Sequence, residues 1–169
     1  MKASYFEGHG GPEVLIYGDL PDPVPGPGEV IVDIHAASVN AADVKVLEGG
    51  TYGEVESFPY ILGRDFSGVV ASLGEGANDF AVGDPVFGVC ERGQEGTYAE
   101  KIAMDQALLT SKPDNLSHID AAALALPGLT AIISIEETIK LQADEKILIQ
   151  GGAGGVAGFA IELAKHIVS

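Results

Sequence analysis

Cysteine is nearly absent from this 169-residue chain, where Cys90 stands alone. One thiol cannot build an internal disulfide framework and fits a reducing compartment, so a cytoplasmic protein is expected. Positive charge is scarce as well. Nine Lys and Arg face 25 Asp and Glu, a formal net charge of −16. Nucleic acid and anionic lipid are both bound through clustered cations, so neither partner is expected. The acidic excess reads as a solubilising surface. No charge-free apolar window of about 18 residues exists, and no membrane span is expected. The opening residues, MKASYFEGHGGPEV, carry no apolar signal-peptide core.

Glycine is abundant, at 23 residues, and lies singly between hydrophobic runs without a repeat. That is the pattern of turns in a β-rich region. Residues 14–17 (VLIY) are a short apolar run. Pro21, Pro23, Pro25 and Pro27 then exclude regular structure. Strands are expected at 30–39, which passes into a loop, and at 66–74, 84–90, 96–105 and 107–113. Residues 40–48 (NAADVKVLE) have helical composition, with Asn40 at the cap. Short strands with frequent turn signals suggest a barrel or sandwich.

The pattern changes near residue 117. Ser117 with Asp120 marks a helix start, and Pro127-Gly128 is expected to divide the Ala- and Leu-rich run into two helices. Residues 145–150 read as a buried strand and 156–167 as a helix. A domain boundary is expected near residue 120, giving units of 1–120 and 121–169. Between that strand and helix, Gly152-Ala153-Gly154-Gly155-Val156-Ala157 fits G-x-G-x-x-G/A. The motif alone is weak. Its setting strengthens it, because glycines admit a pyrophosphate and a helix N-terminus offers free N–H groups. Gly152, Ala153, Gly154, Gly155 and Val156 are therefore candidate cofactor contacts. The acidic or basic residue that would separate NAD from NADP is expected about 20 positions further on, past Ser169.

The order and spacing of GGPEVL (10–15), PDPVPGPGEVIVDIHAASVNAAD (21–43), ILGRDFSGVVASLGEGANDFAVGDPVFG (61–88), GTYAEKIA (96–103), LPGLTA (126–131) and GGAGGVA (151–157) resemble the medium-chain dehydrogenase/reductase superfamily. Within it, the resemblance is to the zinc-free NADPH:quinone oxidoreductases, and it runs through the whole chain. It implies an α/β-plus-β fold: a GroES-like, partly open β-barrel on the substrate side, followed by the start of a Rossmann domain. It implies NADP(H) as cofactor, with NAD(H) not excluded, and hydride transfer to a quinone, enone or enal. It also implies a chain of about twice this length, so a missing C-terminal half or a homo-oligomer would complete the nucleotide domain.

Zinc-dependent relatives place a cysteine ligand where this chain has Asn40 and a histidine where it has Arg64. No metal is expected, since zinc needs three or four converging ligands. Without one, donors must steady charge on a carbonyl oxygen. The resemblance points to Asn40 as an amide donor, with a plain helix cap as the alternative. It points also to Lys45 as a cationic donor, with solvent exposure as the alternative. Thr130 matches a position beside the nicotinamide, where the alternative is a mid-helix Thr bonding its own backbone. Asp43 reads as a brace, and Arg64 as half of an ion pair with Asp65 or Asp43, with a place facing the cofactor as the alternative. The family's NPxD-plus-aromatic pattern is here Asn40-Ala41-Ala42-Asp43-Val44, which leaves the proton donor open. Tyr5 and Tyr52 are candidates by residue type only. A competing function is a non-catalytic binding or assembly module.

Overall fold

The computed structural model describes residues 1–49 and 55–168, in two compact units, Met1–Ala123 and Leu124–Ser169. Tyr52 lies outside the described residues. The first unit holds two open antiparallel sheets, neither closing on itself. The larger joins β3 (Glu29–Ala37), β5 (Asp65–Leu73), β6 (Pro85–Val89), β7 (Lys101–Asp105) and β8 (Leu109–Ser111) in the order β7-β3-β5-β6-β8. The smaller has the order β2-β1-β4, from β1 (Lys2–Phe6), β2 (Ile16–Asp19) and β4 (Tyr60–Ile61). A single bridge, Ala3 to Ala99, links β1 to the segment before β7.

The core of the larger sheet follows from its β-branched and aromatic residues, which suit a pleated, half-buried surface. Val30, Val32, Phe66, Val70 and Val86 are all buried there, with Met104 from β7. β3 meets β5 with register shifts at Ile31/Val32 and Ile34/Ala36. Such bulges bend a strand and re-aim the side chains beyond them. Gly68, opposite the second shift, has no room for a side chain, since a Cβ there would lie 2.1 Å from the Asp33 carbonyl oxygen. A second cluster of Phe6, Val46, Leu47 and Leu62 seats α1 (Ala41–Leu47).

Three expected strands fail or shrink, and the one at 107–113 is reduced to Leu109–Ser111. Residues 145–150 form no strand, because an extended segment becomes one only through a ladder and no described segment pairs with it. The expected strand at 96–105 is confined to Lys101–Asp105. β1 and β4 were not foreseen. The helix break expected at Pro127-Gly128 is also absent. α2 runs unbroken over His118–Ile132 with Pro127 inside it, then continues as a wider π-type turn over Ile133–Ile139. Pro127 lacks only the N–H that would reach back to Ala123. Buried Ala121, Ala122 and Ala125 hold the rest of the face. Lys140, in the left-handed conformation at φ 57°, ends the run.

His118–Ile139 spans 22 residues and is long and apolar enough, by length and composition only, to cross a membrane. A core helix has the same properties, and this one buries Ala131 and Ile135 against Leu141, Ala160 and Ala164. α3 (Gly155–Val168) contributes the last two.

Gly68→Ala should destabilise the chain by about 1–3 kcal/mol through forced backbone displacement. Chemical denaturation of the two proteins measures the difference.

Candidate active site

At the C-terminal end of β3 the chain turns into α1, and a polar network forms around Asp65 at the start of β5. Asp65 has no solvent exposure. A buried carboxylate can only accept hydrogen bonds, so its surroundings must donate. Ser38 Oγ lies 2.8 Å from each of its oxygens and shares its one proton between them, and Asn40 Nδ2 donates to Oδ1 at 2.9 Å. Asn40 Nδ2 also reaches Ser38 Oγ at 3.2 Å. The carboxylate thereby fixes which way the Asn40 amide faces.

Asn40 also caps α1. Its backbone N–H donates to Asp43 Oδ2 at 2.7 Å, the carboxylate half of a capping box. The same oxygen accepts from Tyr98 Oη at 2.8 Å. Asp43 is buried, and its other oxygen, Oδ1, has no hydrogen-bond partner. Burial, then the Asp43 hydrogen bond and charge, push the Tyr98 phenol above its ordinary range. The brace expected of Asp43 is thus present.

Arg64 bonds elsewhere than expected. Its Nη2 donates to the Cys90 carbonyl at 3.0 Å, and its Nε lies 3.8 Å from Glu95 Oε1. The ion pair is with Glu95, not with Asp65 or Asp43, because the Glu95 side chain is almost wholly buried beside it. Tyr60 Oη donates to the other Glu95 oxygen. Cys90 is buried below this cluster, and burial first, then the Glu95 charge, push its thiol up to about 12.

Lys45 is exposed on α1. Tyr5, half-buried on β1, stands in register with Ile16 and Ile61. In the second unit Thr130 Oγ1 donates to the Leu126 carbonyl at 2.7 Å, so the Thr bonds its own helix. Gly152 to Val156 form an exposed turn that runs into α3. Gly151 has φ +73°, and the Gly154 N–H closes the turn on its carbonyl at 2.8 Å. A Cβ on Gly152 would approach Ile161 Cδ1 to 3.0 Å, and one on Gly154 would approach the Gly151 oxygen to 3.3 Å. The loop is therefore tight against its own helix while its outer side is open, with the first N–H groups of a 14-residue helix behind it. That arrangement fits a phosphate group. Asn40 and Lys45 belong to the first unit, Thr130 and the glycine loop to the second.

Among the described residues no group of three or more His, Cys, Asp or Glu is placed to hold a metal ion. Ser38, Tyr98 and Glu95 were not singled out from the sequence. The available signal was an acid, Asp65, opening an otherwise apolar strand, which demands donors from somewhere nearby.

The model of the alcohol dehydrogenase GroES-like domain matches residues 26–114. Rat (Rattus norvegicus) quinone oxidoreductase is 32% identical over 166 residues, covering 98% of this chain and 50% of that protein. A mitochondrial NAD(P)H oxidoreductase of Dictyostelium discoideum is 32% identical over 174 residues, covering 98% and 49%. The crystal structure of Escherichia coli quinone oxidoreductase complexed with NADPH superposes with a TM-score of 0.90 at 29% identity, covering 99% of this chain and 50% of that one. The first unit is thus a GroES-like domain of the alcohol dehydrogenase type. The chain belongs to the medium-chain dehydrogenase/reductase superfamily and is quinone oxidoreductase-like. It spans about half the length of the curated relatives it matches.

Two outcomes are expected. Asp65→Ala strands the Ser38 and Asn40 donors and should cost about 1–3 kcal/mol in denaturant unfolding. Cys90 should resist a thiol reagent at pH 8 in the folded chain and react fully once urea unfolds it, as followed by absorbance of the released thiolate.

Proposed function

We propose that this chain is the substrate-side domain and the first part of the nucleotide-binding domain of an NADPH-dependent, zinc-free oxidoreductase acting on quinones or α,β-unsaturated carbonyls. The observation that carries the reading is the open glycine turn at the start of α3, in a chain whose relatives include NAD(P)H and quinone oxidoreductases. When bound, the nicotinamide would supply the hydride. Gly152, Ala153, Gly155 and Val156 would hold the pyrophosphate through backbone N–H groups, Gly154, whose own N–H closes the turn on Gly151, would leave room for it, and Thr130 would face the nicotinamide end.

On the substrate side, Asn40 is the amide donor. Its bond to Asp65 at 2.9 Å is charge-assisted and stays, while the longer 3.2 Å contact with Ser38 is the one a substrate oxygen would replace. Lys45, exposed on the same short helix, would supply positive charge to the developing oxyanion. Neither role calls for a metal, and the solitary Cys90 fits a cytoplasmic setting. No partner other than the small substrate and the nucleotide is invoked for the chemistry.

A second reading has its own support. Leu148 is 84% exposed in the unpaired stretch 145–150, and Ile139 is 55% exposed. Exposed apolar side chains of that kind suit assembly with another polypeptide or a second copy.

A fluorescence titration with NADPH, and in parallel with NADH, tests the main reading. Saturable NADPH binding, weakened at least about tenfold in Gly154→Val, is the expected result. NADH binding with equal or higher affinity would overturn the cofactor assignment. No binding of either nucleotide by a folded chain would favour the assembly reading, which size-exclusion chromatography then checks.

A further inference from the structure

The start of α2 carries a pair of imidazoles that the proposed chemistry does not use. His118 opens the helix, with Nδ1 2.8 Å from Ser67 Oγ. Ser67, fully buried on β5, donates its hydroxyl proton to the Val86 carbonyl at 2.9 Å. A hydroxyl has one proton. His118 Nδ1 is therefore the donor to Ser67, and the lone pair of the neutral ring sits on Nε2. His35, exposed on β3, packs on this ring with centroids 4.4 Å apart and planes inclined at 46°.

The basic neighbours His35 and Lys112 oppose protonation of His118. Lys112, in the segment entering the helix, is pinned by its Nζ to the carbonyls of Pro113 at 3.0 Å and Leu116 at 2.6 Å. His35 faces the ring from β3, β5 presents the uncharged Ser67 to it, and the buried Asp65 lies two residues before Ser67 on the same strand. The N-terminal end of α2 adds the positive end of the helix dipole. Asp120, the acid of the first turn, is exposed and accepts from Ser117 Oγ at 2.6 Å. Burial first, then His35 and Lys112, hold His118 below its ordinary value.

We propose that the His35–His118 pair is a pH-sensitive latch on the first turn of α2, closed while His118 is neutral and loosened when His118 takes up a proton in mildly acid solution. The sign follows from linkage. A histidine whose native value lies below its unfolded one binds fewer protons when folded. The contact is therefore at full strength above the ordinary histidine value of about 6.5 and weakens as pH falls through it. The turn that would loosen ends at Ala121 and Ala122, both buried, so the opening is local.

The Ala121 N–H bonds to the Ser117 carbonyl at 2.9 Å and reports on this turn directly. Its hydrogen exchange, normalised to the intrinsic rate, can be followed by NMR between pH 7.5 and 5.5 alongside the imidazole titrations. Protection should fall as pH drops over this range in the unaltered chain. In His35→Ala, a substitution at an exposed position, the His118 midpoint should rise and the loss should shrink. His118→Gln, which can still donate to Ser67, should give protection independent of pH. Constant protection in the unaltered chain, or an equal loss with and without His35, would overturn the proposal.

Discussion

A carboxylate with no access to water sets the terms for the substrate-side half of this protein. Asp65 sits where β5 begins, and its charge is tolerable only because Ser38 and Asn40 turn their donors toward it. Those two residues belong to the loop that leaves β3 and to the cap of α1. The carboxylate thus joins a strand end, a loop and a helix start through side chains, where no backbone ladder could. Asp43 repeats the arrangement one turn later, gathering the Asn40 amide and the Tyr98 phenol. Two buried acids, spaced by the sheet, hold one short helix in place. The same hydrogen bonds that make the buried Asp65 tolerable keep the Asn40 side-chain amide oriented.

The second unit is governed by a different constraint. Its helices pack small residues against each other, Ala131 against Ala160 and Ala164, so the chains approach closely. The glycine turn before α3 is tight for the same reason, with Ile161 lying under Gly152. Tightness inside and openness outside are two results of one geometry. A side chain at Gly152 would disturb the packing, while the outward backbone would remain free to meet a ligand.

Much of this was legible in the residues. Alternating β-branched runs located β3, β5 and β6, and Asn40 with Asp43 marked the start of α1, because those signals depend on near neighbours in sequence. What was hidden depends on distant ones. β1 is a strand because β2 and β4 lie beside it, and Tyr60–Ile61 is too short to carry a period. Residues 145–150 have strand composition but lack a ladder. Pro127 looked like a break, although an alanine-rich face outweighs one missing hydrogen bond. Arg64 and Glu95 are 31 positions apart, and nothing local to Arg64 favoured Glu95 over the adjacent Asp65. Asn40 and Asp43 were visible as types, whereas Ser38 and Tyr98 join them only through the fold.

The narrow join between the two sheets has a mechanical consequence. β1 meets the 98–100 segment through the Ala3–Ala99 bridge, flanked by Ser4 N–H to the Tyr98 carbonyl at 2.7 Å and Glu100 N–H to the Lys2 carbonyl at 3.0 Å. The larger sheet is stitched along four strand pairs. Tension applied to the first strand would therefore concentrate on a seam a few bonds wide, and the small sheet would peel away while the five-stranded sheet still carried load. The domain has a built-in line of parting, and it runs along the open cleft of about 310 Å³ bordered by Ser4, Tyr17, His35 and Tyr98.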